Sequence, residues 1–346
     1  MGKIQSIQEQ MLLKFLLFKS RPGRIKSFLD SKSYCHAEPP QSNQVTVAAV
    51  QGKLSLVNNP IEYADIMYQY VEEAVRQGAQ LIVFPEDNAA HLVGMLPGIS
   101  ENVDIAQTMA DLGSEVKVAD IFNYLSPVTK QVFETVFSYL AANFKVHIMA
   151  GSILVSDGKN KTINQAYLFG PDGAIIGRQQ KLHLLPLELD WGLSCGEELS
   201  VFPTPVGKLA FPICMDATYF ETFRSSVLKG AETVIIPAAN PDKYNFWKEL
   251  RGIWPRVQES AVFGIRSCMV GQLLGITLTG RSGIYAPLEL TPKKDGILAE
   301  AKTYDEHEII VANLDYNLLR DYRRNEGFMN YLNIDLCKRY LPHLYK

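Results

Sequence analysis

Short apolar runs alternate with amphipathic stretches of helical length along most of this chain, and this alternation restricts its fold more than any other feature. The predicted strands are residues 45–50, 81–84, 147–155, 162–169, 175–178, 211–214, 233–236, 267–274, 283–285 and 308–312. The predicted helices are residues 59–76, 128–144, 220–228 and 244–262, the last broken near Pro255. Strands that alternate with helices and hairpins predict a mixed α/β fold with layered or sandwich packing.

The two ends of the chain differ from this pattern. Residues 1–43 contain a basic, leucine-rich helix and a polar stretch at 38–43 that is typical of a linker. We expect an N-terminal extension (1–43), one domain large enough to be an enzyme (44–316), and a C-terminal tail (317–346). The tail is expected to pack on the domain or on a neighbouring subunit. The N-terminal helix is interpreted as packing on its own domain or a second subunit, with peripheral contact to a membrane surface as the alternative. Residues 91–127 form a weakly periodic insertion, typical of a lid or binding loop.

Composition removes several classes of function. A net charge of -3 gives no reason to expect a nucleic-acid partner. Five scattered cysteines without a CxxC pair argue against a disulfide framework or zinc knuckle and favour a reducing cytoplasm. The histidines are isolated, so we predict no metal site, and the chain has neither a GxGxxG nor a phosphate loop, so we predict no nucleotide cofactor.

Three polar residues stand where chemistry is commonly placed, at strand ends or beside turns. Glu86 ends the second predicted strand, Lys181 follows a hairpin, and Cys214 ends a strand directly before a helix. Singly, each has an ordinary interpretation: a solvated carboxylate, a surface lysine, and a buried small apolar side chain. A papain-like pair of His183 with a cysteine is not supported by the flanking residues.

Together, the segments around these residues closely resemble the nitrilase (carbon–nitrogen hydrolase) superfamily. The matching segments are Val83-Phe-Pro-Glu86, Arg178-Gln-Gln-Lys181-Leu-His183 and Ile213-Cys214-Met-Asp216. Cys214 follows Lys181 by 33 residues, and the similarity runs in the family's order from about residue 45 to about residue 315. The resemblance implies an α-β-β-α sandwich, a homodimer or larger homo-oligomer paired through the helices beside the cysteine, and cleavage of a C–N bond without metal or organic cofactor.

The resemblance also implies roles for individual residues. Cys214 would form a thioester with the acyl group, with Glu86 carrying protons and Lys181 with the backbone N–H of Met215 holding the oxyanion. We expect the Lys181 ammonium to favour the thiolate of Cys214. The further assignments are Glu188 as orienter of Lys181 or contact to the substrate, Trp191 and Asn240 as pocket lining, Glu221 and Arg224 as braces of the cysteine turn, and Cys195 and Cys268 as buried thiols.

The residues after the nucleophile bear on the branch of the family. In true nitrilases an aromatic residue and then Glu follow the nucleophilic cysteine, whereas this similar chain has Met215 and Asp216 there. The Asp fits amidases and carbamoylases better. We therefore expect an amidase that acts on a small or acyl-chain amide and releases ammonia or an amine. The alternatives are a nitrilase, an N-carbamoyl hydrolase, an acyltransferase to an amine, and a scaffold of this fold without catalysis.

Overall fold

The computed structural model describes residues 7–41, 43–99, 103–104, 117–159 and 161–344. Its helices are α1 (Ile7–Lys19), α2 (Pro22–Asp30), α3 (Pro60–Arg76), α4 (Val118–Phe144), α5 (Pro186–Trp191), α6 (Phe220–Leu228), α7 (Phe246–Leu250), α8 (Ile253–Ser260), α9 (Tyr316–Asn325) and α10 (Ile334–Leu344). Its strands are β1 (Gln44–Lys53), β2 (Leu81–Val83), β3 (His147–Ser156), β4 (Thr162–Phe169), β5 (Ile175–Gln180), β6 (Leu193–Ser194), β7 (Phe202–Thr204), β8 (Gly207–Ala210), β9 (Thr233–Ala238), β10 (Phe263–Leu273), β11 (Ile276–Leu278), β12 (Gly283–Tyr285), β13 (Ile297–Glu300) and β14 (Glu308–Asp315).

The strands form two mixed sheets, and the last residues of β1 join one sheet to the other. The first sheet has the order β14-β1-β2-β3-β4-β5, and the second has the order β13-β12-β10-β9-β8-β7. Most of β1 pairs with β14 and β2, but its last residues, Gly52 and Lys53, pair in parallel with Met269 and Val270 of β10. The two sheets are therefore continuous at this end of the molecule.

Apolar side chains fill the space between the sheets and on both outer faces. Val47 and Val83 of the first sheet pack with Ile235 and Ile265 of the second in one buried cluster. Helices α3 and α4 cover the outer face of the first sheet, and α6 and α8 cover that of the second. The order of layers is α-β-β-α, which confirms the predicted fold.

The insertion predicted at 91–127 is only partly a loop. Ala90–Met95 form a short 3-10 helix, and α4 begins at Val118, ten residues before the predicted start. Pro127, directly before the predicted start, lies inside α4, and the neighbouring Leu125 and Val128 are buried against α1. This packing offsets the hydrogen bond that a proline removes. Residues 100–102 and 105–116 of the insertion lie outside the described residues.

The helix predicted at 244–262 is divided at a different place. The break between α7 and α8 falls at Arg251 and Gly252 rather than at Pro255. Pro255 lies in the first turn of α8, where a backbone N–H has no partner within the helix, so proline is tolerated there.

Helix α2 and helix α9, near the two ends of the chain, pack on the domain. Ile25 and Leu29 of α2 are fully buried in the cluster that contains α3 and α4. Tyr34, beyond α2, makes an edge contact with Phe144 at 4.8 Å between ring centroids. At the other end, Leu319 of α9 is buried between the sheets. Among the described helices, none combines the length and the apolar character needed to cross a bilayer.

Candidate active site

Glu86 is held by the loop that follows β2. Gly151 of β3 has a φ of +75°, and a Cβ there would lie 1.8 Å from the carbonyl oxygen of Pro85, so the close approach of loop and strand requires glycine. The buried Glu86 carboxylate accepts hydrogen bonds from Asn164 Nδ2 on Oε1 (2.9 Å) and from the backbone N–H of Ala239 on Oε2 (2.8 Å). The two donors come from different sheets, so the carboxylate is fixed where the sheets face each other.

Lys181 follows β5 and lies between two carboxylates. Its buried Nζ donates to Glu86 Oε1 at 2.8 Å and to Glu188 Oε1 at 2.7 Å. Glu188, in the first turn of α5, also accepts the backbone N–H of Leu185 at 2.7 Å, which caps that helix. Burial alone would lower the pKa of Lys181, but the negative charges of Glu86 and Glu188 raise it well above its ordinary value. These two carboxylates therefore hold Lys181 as an ammonium.

Residues 211–213 connect the end of β8 to a 3-10 turn that begins at Cys214. Cys214 has a φ of +46°, a backbone conformation that non-glycine residues rarely adopt. Its Sγ donates to Asn240 Oδ1 at 3.6 Å, and the nearby charge of Glu86 acts on the pKa of the thiol. The strained turn thus presents the sulfur to the carboxylate.

The electrostatics of the cysteine combine opposing influences. Burial and the charge of Glu86 raise the pKa of the Cys214 thiol well above its ordinary value. Lys181 lowers that pKa, the direction that sequence analysis predicts, but by less. Burial likewise raises the pKa of Glu86, supported by Glu188 and opposed by Lys181. The cysteine rests as a thiol that needs a base.

Asp216 ties the Cys214 turn to the loop that carries Lys181. Its fully buried carboxylate accepts from the backbone N–H of Ile213 (2.8 Å), from the backbone N–H of His183 (2.7 Å) and from Nδ1 of the same histidine (2.9 Å). Sequence analysis used Asp216 only to choose a branch and assigned the bracing to Glu221 and Arg224. Those two residues lie half-buried on α6. Arg256 adds a further bond to the turn by donating to the Thr218 carbonyl at 2.9 Å.

A cleft of about 170 Å³ opens at Cys214. Met215 and Asn240 line it, where sequence analysis places them, together with Tyr244 and Arg266. Trp191 does not line this cleft, because α5 directs it into an apolar cluster with Phe122, Leu154, Leu184 and Leu193. Of the two cysteines predicted to be buried, Cys268 is buried, whereas Cys195 is exposed because it lies in the irregular segment after β6.

Sequence analysis missed two polar side chains that lie behind Asn240, those of Glu249 and Arg266. Asn240 Nδ2 donates to Glu249 Oε1 at 3.1 Å, and the other oxygen of Glu249 pairs with the buried guanidinium of Arg266. These contacts orient the Asn240 amide so that its oxygen faces Cys214. The residues come from the end of β9, from α7 and from β10, and none has a local signal that distinguishes it from an ordinary polar residue.

Comparison with known proteins identifies the family. The family model for carbon–nitrogen hydrolase matches residues 46–324. A probable hydrolase of Bacillus subtilis is 29% identical over 287 residues, which is 81% of this chain and 52% of that protein. The chain thus spans about half the length of this relative.

Solved structures share the fold. A carbon–nitrogen hydrolase from Helicobacter pylori superimposes with a TM-score of 0.68 at 22% identity, covering 88% of this chain and 99% of that one. A mutant of the amidase from Nesterenkonia, which carries the acetamide moiety of fluoroacetamide covalently added at its active-site cysteine, gives a TM-score of 0.60 at 19% identity. That match covers 88% of this chain and 99% of the amidase.

Proposed function

The chain belongs to the carbon–nitrogen hydrolase family, and on that premise we propose that it is a cysteine amidase whose catalytic residues are Glu86, Lys181 and Cys214. The observation that carries the proposal is the buried pair of Glu86 and Lys181, 2.8 Å apart, whose charges both act on the Cys214 thiol at an open cleft. A base, a nucleophile and a fixed positive charge are the groups that acyl transfer from an amide requires.

The proposed reaction begins at Cys214. Glu86 accepts the thiol proton as the sulfur attacks the amide carbon, and the carbonyl oxygen becomes an oxyanion. Lys181 gives two of its three N–H groups to Glu86 and Glu188, and we assign the third to this oxyanion, with the backbone N–H of Met215 as the second donor. Glu86 then protonates the departing nitrogen, the C–N bond breaks, and a thioester remains.

Hydrolysis of the thioester reverses these roles. Glu86, again a carboxylate, accepts a proton from water as the water attacks the thioester carbon, and the carboxylic acid leaves as the proton returns to sulfur. The covalent adduct at the cysteine of the structurally similar Nesterenkonia amidase supports the nucleophilic role proposed for Cys214.

Release of ammonia tests the proposal. The wild-type protein, Cys214→Ala and the matched control Cys195→Ala, which changes an exposed cysteine, would be incubated with short amides, long-chain amides, ureido acids and nitriles. We expect release from amides by the wild type and the control, and none by Cys214→Ala. Release from nitriles or ureido acids alone would contradict the amidase branch, and equal release by Cys214→Ala would contradict the mechanism.

We also propose that two subunits pair through α5 and α6. These two helices carry exposed apolar side chains. They are Leu189 on α5, Tyr219 directly before α6, and Phe220 and Leu228 on α6. Light scattering of the wild type and of Leu228→Asp tests the pairing. We expect a dimer and a monomer respectively, and a wild-type monomer would contradict it.

A further inference from the structure

Helix α1 lies on the outside of the domain with one side anchored. Leu16 is buried in a cluster with Leu125 and Val128 of α4, and Leu12, Leu13 and Leu17 pack against the same cluster. Gln131 of α4 fixes the end of the helix by donating to the carbonyl of Ser20 at 2.9 Å. The side chains of this inner side are therefore the ones that attach α1 to the domain.

The outer side of α1 carries a second apolar stripe that the fold does not use. Met11, Phe15 and Phe18 are 66%, 51% and 61% exposed. At roughly 100° of rotation per residue, positions spaced by four and three residues lie in one line along the helix. These three side chains, the α1 stripe, therefore face solvent together rather than as scattered surface residues.

Basic side chains border the α1 stripe on both sides. The same rotation puts Lys14 next to Phe18 on one side and Lys19 next to Phe15 on the other. The Lys19 ammonium lies 4.6 Å from the centroid of the Phe15 ring, and the Arg21 guanidinium lies 4.3 Å from that of Phe18. Exposed Arg24 and Lys26 follow, and residues 10–26 contain no acidic side chain. The acidic residues of the surrounding sequence, Glu9 and Asp30, stand outside this segment, and Asp30 accepts a hydrogen bond from Tyr139.

We propose that the α1 stripe and its basic border bind the surface of a membrane that contains anionic phospholipid. An apolar line with cations on either side matches the acyl boundary and the headgroup phosphates of a bilayer, into which such a helix sinks parallel to the surface. Nucleic acid would use the cations but gives no site for exposed methionine and phenylalanine. The enzyme would then act beside a membrane without crossing it, with α1 held on the domain by its inner leucines.

Co-sedimentation with vesicles tests the inference on the full chain. The wild type would be mixed with vesicles of phosphatidylcholine alone or with phosphatidylserine added. The variants are Met11→Ser/Phe15→Ser/Phe18→Ser, Lys14→Gln/Lys19→Gln/Arg21→Gln, and the matched control Ile176→Ser/Leu318→Ser, which removes exposed apolar side chains elsewhere. Circular dichroism and the thermal midpoint establish that each variant is folded. Because the readout is sedimentation with vesicles, the result does not depend on amidase activity.

We expect the wild type and the control to sediment with the anionic vesicles, less so as salt is added, because salt screens the basic border. The serine variant should lose binding by about tenfold or more. The glutamine variant should lose the preference for phosphatidylserine. Absence of wild-type binding, or equal binding by the serine variant, would overturn the proposal. A wild-type dimer that the serine variant dissociates in the absence of vesicles would overturn it as well, by showing that a second copy covers the stripe.

Discussion

The two sheets build the two walls of the active site in different ways. The first sheet supplies Glu86 and Lys181, which with Glu188 form a buried cluster in which each charge has a partner. The second sheet supplies Cys214 on a strained turn, half-buried at an open cleft and backed by the hydrogen bond between Asn240 and Glu249. The first wall holds charge at fixed positions, and the second holds the nucleophile. Loss of charge should therefore damage both stability and activity, whereas loss of the nucleophile should damage activity alone.

Cys214→Ala is the sharpest test of this separation. We expect amide hydrolysis to fall to the uncatalysed background while the free energy of unfolding changes by less than about 1 kcal/mol, since no charge loses its partner. Ammonia release and urea unfolding would be measured on the same preparation. A large loss of stability would show that the second wall is also structural.

Lys181→Ala should disrupt the buried charged cluster of the first wall. The carboxylates of Glu86 and Glu188 would remain buried without their cation, which we expect to cost about 3 to 5 kcal/mol of unfolding free energy. Turnover should also fall by about 10³ or more, because the oxyanion loses a charged donor. Lys293→Ala, at an exposed lysine, is the control in urea unfolding and activity assays. Stability equal to the wild type would mean that the cluster is not the charged unit described above.

Glu188→Gln should move the pH profile. Glu86 must be ionised to accept the thiol proton, so kcat/KM falls as pH decreases through its pKa, which burial and then Glu188 raise above the ordinary 4.5. Removing the negative charge of Glu188 lowers that pKa, and the acidic limb of kcat/KM should shift to lower pH. Asp190→Asn, an equal change of charge on the exposed side of α5, should leave the limb in place. A shift to higher pH would contradict the assignment of this limb to Glu86.

Glu249→Gln should have the smallest effect. It keeps the size of the side chain but removes the charge that pairs with Arg266, which loosens the orientation of Asn240. We expect kcat/KM to fall by about tenfold with an unchanged acidic limb, since small misplacements near the reacting atoms have effects of this order. The control is Glu306→Gln, which breaks an exposed pair with Lys53 at 2.6 Å. Equal activity of both variants would remove Glu249 from the positioning of the nucleophile.

The fold class and the catalytic candidates were predictable because each depends on a local pattern. Strand and helix periodicities predicted a mixed α/β fold with layered packing, and the family resemblance implied the α-β-β-α order. Glu86, Lys181 and Cys214 each follow a strand in a recognisable segment. The first ten residues of α4 were missed, because they belong to a weakly periodic stretch with Pro127 inside the helix.

Other parts of the site depend on contacts between distant segments, which a sequence pattern does not contain. Asn164 of β4 bonds to Glu86 from across the sheet, and its inward direction follows from strand pairing. Trp191 was predicted to line the cleft, but it packs against Leu154 and Ala119, which are distant from it in sequence. The pKa of Cys214 required the distances of all three neighbouring charges, and therefore the complete fold.

The shared strand β1 has a consequence for how the protein acquires activity. Its last residues, Gly52 and Lys53, find their partners in β10, separated from them by most of the chain. Contacts of such high sequence separation form late and slowly during folding. Because the groups that must meet, Glu86 and Cys214, lie on opposite sides of this junction, refolding chains should regain secondary structure well before they regain catalysis. The return of enzyme activity then reports when the two sheets join, and a nascent chain would have no activity until its second sheet is complete.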